Sequence, residues 1–138
     1  MAIRFNYADR KLNGVNKTAL KAMVLSIFKE EKVKLETVDY IFCSDEYLLG
    51  INQSALNHDY YTDIITFPLS NKGQPIVAEI YVSVDRIKDN ATQLKQPFKH
   101  ELARVVAHGA LHLCGYKDKT KKDIVQMRLK EDFYTAEI

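Results

Sequence analysis

Apolar and polar residues alternate at the start of the chain, with Ile3, Phe5 and Tyr7 on one side, so residues 2 to 7 read as a strand ending in the polar turn around Asp9 to Gly14. The period then lengthens. Leu20, Met23, Val24, Ile27 and Phe28 recur at helical spacing between Asn16 and about Lys32, and Asn16 can cap that helix. Its apolar stripe reads as core and its lysines as a solvated face. Val38 to Cys43 is a short apolar run of the kind found in buried strands, and Ser44-Asp45-Glu46 then supplies a cap and acidic first-turn residues for a helix running to about Leu56.

A polar and aromatic stretch, Asn57 to Tyr61, leads into a strand over Ile64 to Phe67 that Pro68 ends, and a hairpin-like loop at Ser70 to Gly73 leads into another over Ile76 to Val82. Ser83 or Asp85 can start a helix reaching about Lys95. Pro97, suited to a first helical position, opens a further helix to Cys114. Thr120 with Asp123 resembles a capping box for a last helix, whose expected stripe is Ile124, Met127 and Tyr134. The pattern predicts a single α+β domain over residues 1–138, a four-stranded mixed sheet packed by about five helices on at least one face.

Composition narrows the class without naming the chemistry. The 138 residues suit one domain with its own core. Twenty basic against eighteen acidic residues give a formal charge of +2, too little to argue for nucleic acid from composition, so any such preference must come from local placement. Two cysteines, Cys43 and Cys114, make no disulfide framework, and the alternating N-terminus is unlike a secretory signal, so a reducing cytoplasm is expected. No apolar run is long enough to span a bilayer.

The candidate chemistry lies in residues 108 to 118. His108 and His112, four apart on a helix, stand one turn above the other with β-carbons roughly 5–6 Å apart, so both imidazoles can turn toward one metal ion. Gly115 supplies the left-handed residue that typically ends a helix, and past that turn Asp118 can swing back as an oxygen ligand. A His2Asp set with an open position suits one catalytic Zn2+ per chain better than magnesium or calcium, which prefer all-oxygen shells. Metal-assisted hydrolysis is then the natural reaction class. Zinc peptidases place glutamate beside the first histidine, whereas this chain has Gly109, a residue that admits another segment close to the helix. Arg104, four residues before His108 on the same face, offers a planar fork suited to phosphate, or else to a salt bridge with Glu101. Lys119 and Lys121, among the lysines that follow the histidines, are candidate phosphate contacts, with a solvated charge run as the plainer alternative.

His108-Gly-Ala-Leu-His112-Leu-Cys-Gly115-Tyr116 resembles the signature H-G-x-L-H-L-x-G-Y-D-H of the YbeY family, bacterial metal-dependent endoribonucleases of ribosomal RNA maturation. Thr62 to Pro68 resembles the family's T-[DN]-V-L-S-F-P strand and Ala78-Glu79-Ile80 its G-D-I, with matches in register over roughly residues 50 to 135. The resemblance implies cleavage of single-stranded RNA, a role in ribosomal RNA 3′-end maturation and ribosome quality control, and the small ribosomal subunit with its proteins as partners. It also exposes two departures. Asp118 stands where the family's third histidine ligand would be, and Leu56 stands where the family carries an arginine. Phosphate binding would then fall to Arg104 or a lysine. A different class of function, a ribosome-binding factor with a structural metal and little catalysis, is the alternative that the missing arginine favours; a zinc peptidase-like hydrolase is a third.

Overall fold

The computed structural model describes residues 2–58 and 60–138; Asp59, within the polar and aromatic stretch, lies outside them. The chain runs β1 (Ala2–Tyr7), α1 (Lys17–Glu30), β2 (Leu35–Cys43), α2 (Asp45–Leu56), β3 (Ile64–Pro68), β4 (Ile76–Ser83), α3 (Val84–Gln93), α4 (Phe98–Leu113) and α5 (Lys121–Thr135). The sheet order is β1-β2-β4-β3. β1, β2 and β4 are parallel, since α1 separates the first pair and α2 with β3 the second, whereas the short loop between β3 and β4 permits only antiparallel pairing. The α+β class and the four-stranded mixed sheet expected from the pattern are thus present.

Period-two alternation divides the sheet between two cores. Ile3, Val38, Tyr40, Phe42, Ile80 and Val82 point to the face covered by α1 and α4, where Val24, Ile27, Val106, Ala110 and Leu111 are fully buried. Each large aliphatic side chain buried there contributes about 1.5–3 kcal/mol. The opposite face carries Cys43 and Ile65 beneath Leu48 of α2. Cys43 is a buried free thiol, pushed up to about 12 by burial, as suits an inert core position.

Local signals account for most element ends. The side chains of Asn16, Ser44, Ser83 and Thr120 each accept a backbone N–H in the first turn of their helices, and Thr120 with Asp123 forms a complete capping box. Three expectations need correction. β2 begins at Leu35, because a register shift between Leu35 and Thr37 lets Leu35 pair with Ile76 ahead of the apolar run. Pro97 is the cap before α4 rather than its first residue, with extended backbone at φ −61° and ψ 147°. On α5 the buried residues are Met127, Glu131 and Thr135, whereas Ile124 is 49% exposed.

Two contacts fix α4 on the sheet. The buried Tyr40 hydroxyl donates to the Val106 carbonyl at 2.8 Å. About one turn from the helix end, Gly109 faces Ile64 and Ile80, and a Cβ built there would lie 2.9 Å from Ile64 Cδ1 and 3.1 Å from Ile80 Cδ1. The close approach anticipated for Gly109 is therefore made by the β3 and β4 side chains, and it sets the depth of the neighbouring His108.

Candidate metal centre

Helix α4 ends in a Schellman motif. Gly115 adopts φ +102°, its N–H bonds the His112 carbonyl at 3.0 Å, and the Tyr116 N–H reaches back to the Leu111 carbonyl at 3.0 Å. This turn reverses the chain so that Asp118 returns over the last turn of the helix. His108 Nε2 and His112 Nε2 lie 2.9 Å apart, and Asp118 Oδ2 lies 3.3 Å from the first and 3.4 Å from the second. The three candidate donors named by the sequence therefore converge on one point.

The spacing fits a small divalent ion. Donors about 2.0–2.1 Å from a tetrahedral zinc lie roughly 3.3–3.4 Å from one another, so the two carboxylate edges already match and the histidine pair needs to open by about 0.4 Å. The ring orientations fit as well. His108 Nδ1 donates to Glu131 Oε2 at 2.6 Å, and His112 Nδ1 donates to the Tyr116 carbonyl at 2.9 Å, which leaves both Nε2 lone pairs for the ion. Asp118, with its side chain 45% exposed, closes the solvent side of the triad.

Behind His108 stands a chain of buried charges. Glu131, reaching over from α5, accepts from His108 and also from Arg104 Nη1 at 3.2 Å. Arg104 is in turn held by Glu101, through Nε at 2.9 Å and Nη2 at 2.5 Å. Both carboxylates are 1% exposed. Burial alone would raise the Glu131 carboxyl, but His108 and Arg104 outweigh it and hold the group below the usual glutamate range. Burial likewise disfavours charge on His108, yet Glu131 and then Asp118 lift its affinity for a proton above the ordinary histidine value. Asp63, half-buried just before β3 and within electrostatic reach of His108 and Arg104, is pushed up by burial.

The sequence candidates are placed unequally. Arg104 reaches the site, but its guanidinium is engaged with Glu101 and Glu131 rather than open to solvent. Lys119 and Lys121 are exposed, and neither has an ion-pair partner among the described residues. Leu56 ends α2 with 39% exposure, so the family's arginine position carries an exposed apolar side chain. In the polar and aromatic stretch before β3, His58 stands apart from the triad and stacks on Tyr60, with ring centroids 5.2 Å apart. Sequence reasoning missed Glu131, Asp63 and Arg128, the last of which lines a cavity of about 200 Å³ beside His108 and Asp118. One signal pointed to Glu131: it falls four residues after Met127, an acidic residue on the buried stripe of α5.

Comparison with known proteins identifies the family of the chain. A family model described as Endoribonuclease YbeY matches residues 4–138. The endoribonuclease YbeY of Cytophaga hutchinsonii is 52% identical over 113 residues, covering 82% of this chain and 79% of that protein. That of Flavobacterium psychrophilum is 46% identical over 131 residues, covering 94% and 91%. The solution structure of a protein from Thermotoga maritima superposes with a TM-score of 0.70 at 31% identity, covering 97% of this chain and 87% of the other. No helix among the described residues is long and apolar enough to cross a membrane. With a matching family model along nearly its whole length, and with the His108, His112 and Asp118 donors converged, the chain belongs to the endoribonuclease YbeY family of RNA-cleaving hydrolases.

Proposed function

We propose that this endoribonuclease cuts single-stranded RNA with one zinc ion held by His108, His112 and Asp118, and that it acts in the cytoplasm on ribosomal RNA 3′ ends, in company with the small ribosomal subunit. The observation that carries the metal assignment is the orientation of the two imidazoles: each gives its Nδ1 to a fixed acceptor and turns its Nε2 toward the Asp118 carboxylate. When bound, the ion supplies a Lewis acid for the phosphodiester and activates water for attack on phosphorus.

The remaining work falls to the chain's own groups. Glu131 fixes the His108 ring, and Arg104 keeps Glu131 ionised and in place, so Arg104 acts on the centre through Glu131. Lys119 and Lys121, exposed on the loop and first turn beyond Asp118, hold the RNA backbone by charge without reading base identity. Asp118 brings a negative charge that a third histidine would not, which offsets part of the ion's positive charge.

The test measures metal content of the purified protein together with cleavage of single- and double-stranded RNA, with and without a chelator. Expected are one zinc per chain, preferential cutting of the single strand, and loss of both metal and cutting in His112→Ala. Full metal occupancy in that variant would remove the centre. Charge reversal at Lys119 and Lys121 together should flatten the salt dependence of RNA binding.

A further inference from the structure

A phosphodiester brought to the three donors carries negative charge into a region that already holds Asp118 and Glu131, so a cation must meet it there. Arg104 is poorly placed for that task, since Nε, Nη1 and Nη2 are each bonded to Glu101 or Glu131 and its side chain is only 16% exposed. One turn before Glu131 on α5, Arg128 stands in the opposite condition. Its side chain is 56% exposed, and its one close charge partner among the described residues is Glu131, with Nε 3.6 Å from Oε1. Glu131 already accepts from His108 and Arg104, so it holds Arg128 loosely.

Placement completes the case. Arg128 shares with His108 and Asp118 the walls of the cavity of about 200 Å³, and a volume of that size takes roughly seven waters, enough for a phosphodiester group. A group seated against His108 and Asp118 therefore has the Arg128 fork within the same cavity. The fork also suits the ligand, because a planar guanidinium can meet two oxygens of one phosphate side by side.

We propose that Arg128 is the residue that grips the RNA phosphate at the metal centre, with two guanidinium N–H groups given to its oxygens. This rests on the endoribonuclease reading above. It assigns to α5 a second task besides holding His108 through Glu131.

The test uses the metal-loaded full chain with a single-stranded oligouridylate, comparing wild type with Arg128→Ala and Arg128→Lys. Loss of a charge-assisted hydrogen bond predicts a fall in kcat/KM of roughly 10- to 100-fold in Arg128→Ala, with metal content and melting temperature unchanged. The slope of log K against log salt should shrink by about 0.7, the value for one phosphate contact on a single strand. Arg128→Lys should keep the salt slope and recover only part of the rate, since lysine keeps the charge and loses the fork. Equal kcat/KM and equal salt slope in wild type and Arg128→Ala would overturn the assignment while leaving the endoribonuclease reading intact. Failure of the wild type to bind or cut the oligonucleotide would overturn both.

Discussion

Replacing Glu131 separates its structural task from the task proposed for it at the metal centre. The carboxylate is 1% exposed and accepts two bonds, from His108 Nδ1 at 2.6 Å and from Arg104 Nη1 at 3.2 Å. Glu131→Ala leaves both donors without their acceptor, and breaking a buried ionic pair on one side costs about 3–5 kcal/mol. Glu131→Gln keeps one amide oxygen at the same distance along the chain. That oxygen can accept from His108 or Arg104 but carries no charge, so the stability loss should fall to about 1–3 kcal/mol. At the metal, loss of the partner that orients a histidine typically lowers affinity 10- to 100-fold, or roughly 1.4–2.8 kcal/mol. The alanine variant should lie at the upper end of that range and the glutamine variant at the lower. Zinc competition against a chromophoric chelator gives the affinities, and thermal melts of metal-free protein give the stabilities. Wild-type zinc affinity in both variants would refute the idea that Glu131 orients His108. A stability loss without an affinity loss would confine Glu131 to packing α5.

Further tests address other parts of the structure. Asp118→Asn should lower zinc affinity, because it removes the charge while keeping the size, and a fully loaded variant would place Asp118 outside the ion's contacts. Gly109→Ala gains about 1 kcal/mol of helix propensity but sets a Cβ 2.9 Å from Ile64 Cδ1, and overpacking costs about 1–3 kcal/mol, so a melt should show net destabilisation. At Glu31, burial favours the neutral acid, yet hydrogen bonds from Tyr134, Tyr116 and Lys130 prevail and hold the group below its ordinary 4.5. A depressed folded-state value means stability that is present above pH 4.5 and lost as the pH falls through the lower folded value. Glu31→Gln should therefore lose roughly 1–2 kcal/mol near neutrality and converge on wild type in acid, as followed by urea unfolding across pH.

Signals that act within one turn were legible in the sequence. The Asn16 cap, the Thr120 and Asp123 capping box and the left-handed Gly115 depend on neighbours a few residues away, and each is found where its residue type predicts. The stripe of α1 was read in full for the same reason: a 3.6-residue period over fourteen residues admits one buried face. His108, His112 and Asp118 could be grouped because a helix turn and a reversing loop bring them together locally. Glu131 was missed because its role depends on where α5 crosses α4, which packing decides and spacing does not show. The buried stripe of α5 runs through Met127, Glu131 and Thr135, so it includes a glutamate that apolar periodicity does not mark, while Ile124 near the helix start is 49% exposed. Arg104 and Arg128 show the same limit, because composition cannot tell which guanidinium is tied by two carboxylates and which stays largely exposed.

The turn that ends α4 has a consequence for how the enzyme can be dissected. The atom that aims His112 is the main-chain oxygen of Tyr116, and the direction of that oxygen follows from the Schellman bonds and from φ +102° at Gly115. Truncating side chains one by one leaves every one of these atoms in place. Such a survey would credit Tyr116 only with its hydroxyl on Glu31 and would miss its hold on the His112 ring. Exposing that share takes a change to the backbone itself, either an ester in place of the amide at Gly115 or Tyr116, or a residue at position 115 that resists positive φ. The instruction that orients this ligand is thus written in chain geometry, and glycine is the one letter of the sequence that records it.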